Sequence, residues 1–145
     1  MLIGIVLGSA GVIVCLYVVH RLAGGAMARW RRRFGFSELG DMASRPLLAT
    51  LFSLVSLAAT PIALAWSRHV EHEADRFGLE LTQDNHAAAE GFVKLQEENL
   101  ANPRPGPFFV LWRASHPPIG ERIEFANRYR PWAEGKPLRY GSYFR

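Results

Sequence analysis

Two runs of this sequence, Met1–Val19 and Pro46–Trp66, contain no charged side chain. Each is long enough to cross a bilayer as a helix. A single run in hydrocarbon must satisfy its own backbone hydrogen bonds, and the helix is the form that does so. The two runs therefore predict a helical hairpin, with Met1 and Ser67 on one side of the membrane and the connecting segment on the other. A secretory signal is the rival for the first run, but it lacks the basic start and the small-residue cleavage pattern of such a signal. Gly4, Gly8 and Gly11 put small residues along one face and predict close helix packing there.

Charge divides the chain at the same places. Arg21, Arg29, Arg31, Arg32, Arg33 and Arg45 outnumber Glu38 and Asp41 between the apolar runs, whereas acids and bases balance after Trp66. The net charge of +4 is thus a juxtamembrane excess, which suits a lipid surface and speaks against a nucleic-acid partner. Charge bias alone places the arginine segment in the cytoplasm. Trp30 among the arginines, and Trp66, read as interfacial anchors, and His20 as a boundary residue of the same kind. Cys15 is the lone cysteine and sits in an apolar run, so neither a disulfide framework nor a thiolate metal site is available. The expected organisation is mostly α. A multi-pass membrane portion spans 1–66, with helices at about 1–20 and 46–66 and a basic loop at 21–45. A small helical portion spans 67–145.

Within 67–145 the pattern predicts a helix from Ser67, as N-cap, to about Leu81, with Val70, Ala74, Phe77, Gly78 and Leu81 as its apolar stripe. A second helix capped by Asn85 would bury Ala88, Phe92 and Leu95, with Ala89, Val93 and Leu100 beside them. Asn102–Pro107 reads as a loop, Phe108–Trp112 as a short apolar turn, and Ser115–Pro118 as the start of a last helix ending near Tyr129. Pro61 is expected to kink the second span. The aromatic and basic residues after Pro131 show no period and are expected to wrap or fray.

The densest chemistry is Ser67-Arg68-His69-Val70-Glu71-His72-Glu73-Ala74-Asp75-Arg76. Glu71 and Asp75 are i and i+4 and share a helix face. Such a pair is ordinarily solvated or salt-bridged, and His69, His72 and Glu73 have no convincing metal-ligand spacing. His86 reads as a surface residue. His116 is held by two following prolines, which fix its direction.

Taken together, Ser67, Arg68, Glu71, Ala74 and Asp75, followed after a helix by Ser115, His116, Pro117, Pro118, Glu121 and Arg122, resemble the C-terminal part of type I CAAX prenyl endopeptidases. These are integral-membrane zinc metallopeptidases related to the HtpX-like peptidases. The preceding helical hairpin fits as well, so the resemblance covers nearly the whole chain. It implies that Glu71 is a zinc ligand and that Asp75 lies behind the metal, orienting a ligand histidine. It further implies that Arg122 pairs with Asp75, and that His116 contacts the scissile peptide or its oxyanion. The cofactor implied is one zinc ion, and the partners are membrane lipid and a peptide or protein substrate. Members of this family often keep this portion on the cytoplasmic side, opposite to what the arginines indicate.

The family's His-Glu-x-x-His motif, which supplies two zinc ligands and the general base, is absent from these 145 residues; His72-Glu73 continues Ala-Asp-Arg. The expectation is therefore a C-terminal fragment, a misplaced start or a truncated gene. Such a chain holds one of three zinc ligands and no catalytic base, and has no peptidase activity alone. A catalytically inactive membrane adaptor is the alternative.

Overall fold

The computed structural model describes residues 2–36 and 38–144; of Leu2 and Ile3 only the backbone is described. Five α-helices are present: α1 (Leu2–Phe34), α2 (Arg45–Thr82), α3 (Asn85–Glu98), α4 (Pro107–Trp112) and α5 (Ile119–Arg128). Short 3-10 turns occupy Met42–Ser44 and Gly141–Tyr143, and there is no strand among the described residues. The chain forms two compact units, Met1–Thr60 and Pro61–Arg145, with α2 contributing residues to both.

In the first unit, α1 does not stop where its apolar run ends. It continues through Ala23–Arg33, half of the segment expected to be a loop, because alanine, methionine and arginine favour a helix and Gly24-Gly25 is too short to break one. Trp30 leaves helical geometry (φ −126°, ψ 18°), and the helix ends at Gly35, whose φ of +72° is the left-handed cap that glycine adopts without strain. Arg31, Arg32 and Arg33 fill the last turn, favourable beside the helix's negative end. Beyond it, Asp41 accepts a hydrogen bond from the Ala43 amide (2.9 Å) and Ser44 donates to the Leu39 carbonyl (2.7 Å). Nothing lies within 4 Å of where a Cβ would stand on Gly4, Gly8 or Gly11. Among the described residues no neighbour uses the close approach that these glycines allow.

Helix α2 runs unbroken through Pro61 and Ser67, so Ser67 is not an N-cap. At 38 residues α2 is about 57 Å long, and both α1 and α2 are long and apolar enough to cross a membrane.

In the second unit, α3 and α5 pack against the end of α2 around Leu79, Ala89 and Ala126, with Phe92, Phe125, Tyr129 and Trp132 closing the cluster. The α3 cap is Asp84, whose carboxylate accepts from the Ala87 amide at 2.9 Å. Asn85 turns away and donates its side-chain amide to the Ala126 and Tyr129 carbonyls, tying α3 to the end of α5. The α2 stripe expected inside is outside: Val70, Ala74, Phe77 and Leu81 are exposed. The acids Glu73, Asp75 and Glu80 turn inward instead, because the elements packed on this side carry arginines and tyrosines that pair with them. Val93 and Leu95 on α3, and Leu100 just beyond it, are likewise exposed, leaving Ala88, Ala89 and Phe92 to do the packing. Gly120 is required at the α5 start. Its amide donates to the Pro103 carbonyl at 3.0 Å, and a Cβ there would stand 2.6 Å from that oxygen.

Candidate functional site

Four of the residues singled out in the sequence meet between α2 and the start of α5. Arg122 grips Asp75 with two parallel bonds, Nε to Oδ2 at 2.8 Å and Nη2 to Oδ1 at 2.6 Å. Its guanidinium also lies over the Phe92 ring, 4.4 Å from the centroid. Both charged side chains are largely buried, 8% exposed for Asp75 and 13% for Arg122. The hydrogen bonds from Arg122 to Asp75 outweigh burial and hold the arginine pKa above its ordinary range. Helix geometry explains the meeting: Asp75 lies one turn beyond Glu71, and the buried Pro118 and Ile119 start α5 alongside.

Glu71 differs from its neighbours. Its nearest basic side chains are His116, Nδ1 to Oε1 at 3.5 Å, and Arg122, Nη2 to Oε2 at 3.9 Å. Both are too long for good hydrogen bonds. No hydrogen bond reaches its carboxylate among the described residues, and the side chain is 36% exposed. Glu71, His116 and Arg122 sit on the wall of an open cleft of about 760 Å³, whose other lining includes Leu95, Phe109 and Arg113. The cleft is walled on one side by α4. Arg68, two residues past Trp66, fixes that helix by donating from Nη1 to the Val110 and Ala114 carbonyls, both at 2.8 Å.

The other acids of α2 are fully committed. Glu73 accepts from Arg76 and from the Tyr140 hydroxyl (2.6 Å), with Arg139 Nε at 3.1 Å. Burial pushes its pKa up, but Tyr140, Arg76 and Arg139 together bring it below the ordinary value. Glu80 is 1% exposed and accepts from the Tyr129 hydroxyl and from the Arg139 (3.0 Å) and Tyr140 (2.7 Å) amides. Here too burial raises the pKa and those bonds overcome it, leaving Glu80 below the ordinary value. The Tyr129 phenol is pushed up to about 12, by burial first and then by its bond to Glu80.

His69 packs against Trp66, and His72 lies on Phe125 with its ring centroid 4.3 Å away; neither joins Glu71. His86 is exposed and faces Glu90 at 3.3 Å. The roles of Arg68, Glu80, Tyr129 and Tyr140 were not anticipated. The only local signal was the i, i+7 spacing of Glu73 and Glu80 on one face, opposite a tail rich in arginine and tyrosine.

Peptidase family M48 matches residues 1–130. The chain belongs to this family. Among M48 relatives, an uncharacterized metalloprotease, YhfN, of Bacillus subtilis is 38% identical over 112 residues, covering 77% of this chain and 26% of that protein. A protease HtpX homolog of Pyrococcus furiosus is 34% identical over 125 residues, covering 71% of this chain and 43% of its own length. The human CAAX prenyl protease 1 homolog is 26% identical over 129 residues, 83% of this chain and 25% of the relative. The chain thus spans between a quarter and less than half of these relatives. No solved structure matches it. These relatives are named as proteases, and YhfN as a metalloprotease. The described residues contain no group of three or more histidines, cysteines or carboxylates able to hold a metal ion. Glu71, a carboxylate with no hydrogen bond among the described residues and set on a cleft wall, fits as one ligand.

Proposed function

We propose that this chain carries the carboxylate side of a zinc metalloendopeptidase site in an integral, multi-pass membrane protein, with Glu71 as the zinc ligand. The observation that carries this reading is the difference among the acids of α2. Glu73, Asp75 and Glu80 are saturated by cations and hydroxyls, while Glu71, one turn from Asp75, is left without a hydrogen bond beside an open cleft.

Asp75 and Arg122 then act from behind, locking α5 to α2 so that His116 stands beside Glu71. His116, 64% exposed, faces the cleft and donates to a peptide carbonyl or to the oxyanion that develops from it. Glu71 and two further ligands would hold the zinc, which when bound would supply Lewis acidity toward a water and the scissile carbonyl. Those two ligands and the general base come from residues outside these 145. The exposed stripe Val70, Ala74 and Leu81, next to Glu71 on α2, offers them an apolar seat. The substrate is a peptide or protein reached at the membrane, and lipid is the partner of α1 and of the apolar part of α2. Nucleic acid is no partner, since the basic excess sits beside the spans.

Grafting tests this. The chain purified in detergent should cleave no peptide with added zinc. Placed in YhfN in exchange for the matching segment, it should give a zinc-dependent peptidase. Glu71→Gln in that chimera should abolish zinc retention and cleavage, while Glu90→Gln should preserve both. Zinc and activity retained by Glu71→Gln would sink the assignment. A wild-type graft that folds and binds no zinc would favour the inactive adaptor.

A further inference from the structure

We infer that α4 is a second contact with the bilayer, lying in the headgroup–acyl boundary of an anionic membrane with Phe108, Leu111 and Trp112 turned into it. The inference rests on the reading that α2 crosses the membrane and leaves it at Trp66, and it adds a surface that neither α1 nor the apolar run of α2 supplies.

Three observations carry it. The first is level. Arg68 lies two residues past Trp66, a rise of about 3 Å along the helix, and its guanidinium holds the Val110 and Ala114 carbonyls. The last turn of α4 is therefore pinned within one side chain's reach of the point where the apolar run ends. The second is the face. Phe108, Leu111 and Trp112 are i, i+3 and i+4 and share one side of α4, with the Phe108 and Trp112 ring centroids 6.5 Å apart. Phe108 is 74% exposed and Leu111 46%, whereas Phe109 turns to the cleft. An apolar patch with Phe108 and Leu111 in the open and Trp112 half-buried beside them, on so short a helix, marks a contact surface. The third is charge. From Asn99 to Ile119 there is no acid; Arg104 is paired with Glu124 at 2.7 Å, but Arg113, directly after Trp112, has no acidic partner among the described residues. Aromatic residues with basic flanks and no carboxylate are the composition of an interfacial segment on anionic lipid. Both faces of α4 are then used, one by the cleft and one by the bilayer, so the cleft opens at the lipid surface.

Depth-dependent quenching decides it. Single-tryptophan versions of the full chain, keeping only Trp66, Trp112 or Trp132, are reconstituted in vesicles of phosphatidylcholine and phosphatidylglycerol containing brominated acyl chains. Trp66 and Trp112 should both be quenched several-fold more than Trp132. Phe108→Ser with Leu111→Ser should return Trp112 to the Trp132 level and leave Trp66 unchanged. Replacing the phosphatidylglycerol by phosphatidylcholine should lower quenching of Trp112 and spare Trp66. Quenching of Trp66 with Trp112 open to aqueous acrylamide would overturn the inference and leave the spanning helix standing. Trp112 shielded from both lipid and aqueous quenchers would also overturn it, in favour of a protein partner. A Trp66 that bromolipid does not reach would overturn the membrane reading and this inference with it.

Discussion

The Asp75–Arg122 pair offers the sharpest quantitative test, because its two halves are buried, bidentate and on different helices. Arg122→Ala leaves the Asp75 carboxylate with no cation at hydrogen-bonding distance, in a site where 8% of the side chain reaches water. Uncompensated charges of this kind cost about 3–5 kcal/mol when fully buried. The residual exposure of both groups favours the lower end, about 3 kcal/mol. The loss of the guanidinium over Phe92, 4.4 Å from the ring centroid, acts in the same direction. In a unit the size of Pro61–Arg145, each kcal/mol moves the midpoint by about 4–8 °C. Arg122→Ala should therefore lower the melting temperature by about 12–24 °C.

The assay is thermal unfolding in mild detergent followed by near-ultraviolet circular dichroism, which reports the aromatic cluster of Phe125, Tyr129 and Trp132 rather than the apolar helices. Glu71→Ala is the control. With no hydrogen bond to lose and over a third of its side chain exposed, it should cost less than about 1 kcal/mol. A double substitution, Asp75→Leu with Arg122→Leu, should be milder than the sum of its singles, since no charge is stranded. An Arg122→Ala melt within a few degrees of wild type, or singles that simply add, would refute the claim that this pair fastens α5 to α2.

Three further outcomes follow from the other contacts. Glu80→Ala should expose the Arg139 and Tyr140 amides, read as loss of their hydrogen-exchange protection while Leu79 keeps its own. The pH dependence has a definite sign. Glu73 and Glu80 are held below their ordinary value in the fold, so their contribution is present above the unfolded carboxylate pKa and is lost as pH falls through the folded one. At the other end, Tyr129 is raised to about 12, so its contribution is complete below about pH 10 and is lost as pH rises toward 12. Phenolate absorbance should show Tyr129 and Tyr140 titrating late, and Glu80→Gln should bring Tyr129 back toward the ordinary range while Tyr140 stays high. Finally, Gln83 closes α2 with φ of +52° while exposed, so Gln83→Gly should raise stability by about 1 kcal/mol in urea unfolding.

What the sequence made legible was whatever depends on spacing along one helix or on long composition. The uncharged runs predict α1 and the first part of α2, and Glu71 with Asp75 at i and i+4 predicts a shared face. Ser115-His116-Pro117-Pro118 predicts the start of α5. The order of these motifs brings Glu71, Asp75, His116 and Arg122 together. Less legible was which face of α2 turns inward. Apolar periodicity nominates Val70, Ala74, Phe77 and Leu81, and it fails because arginines and tyrosines some 40 to 70 positions away, Arg122, Tyr129 and Tyr140, meet the acids of the opposite face. Long-range pairing of that kind leaves no local period. The Asp84 cap was missed for a similar reason, since Asn85 is needed by α5 and its neighbour takes the capping role.

The same inversion clarifies what sets Glu71 apart. A helix that turns carboxylates inward must pair them or protonate them. Along α2 the requirement is met three times by three different devices. A bidentate arginine serves Asp75, a tyrosine hydroxyl with two arginines serves Glu73, and two consecutive backbone amides with a tyrosine serve Glu80. Arg122 could have been shared more evenly, yet both of its short bonds go to Asp75 and it remains 3.9 Å from Glu71. The arrangement keeps the Arg122 guanidinium close to Glu71 but too far to occupy its oxygens. On the proposed reading, a carboxylate left in that condition is the one that would take a cation arriving from outside the fold.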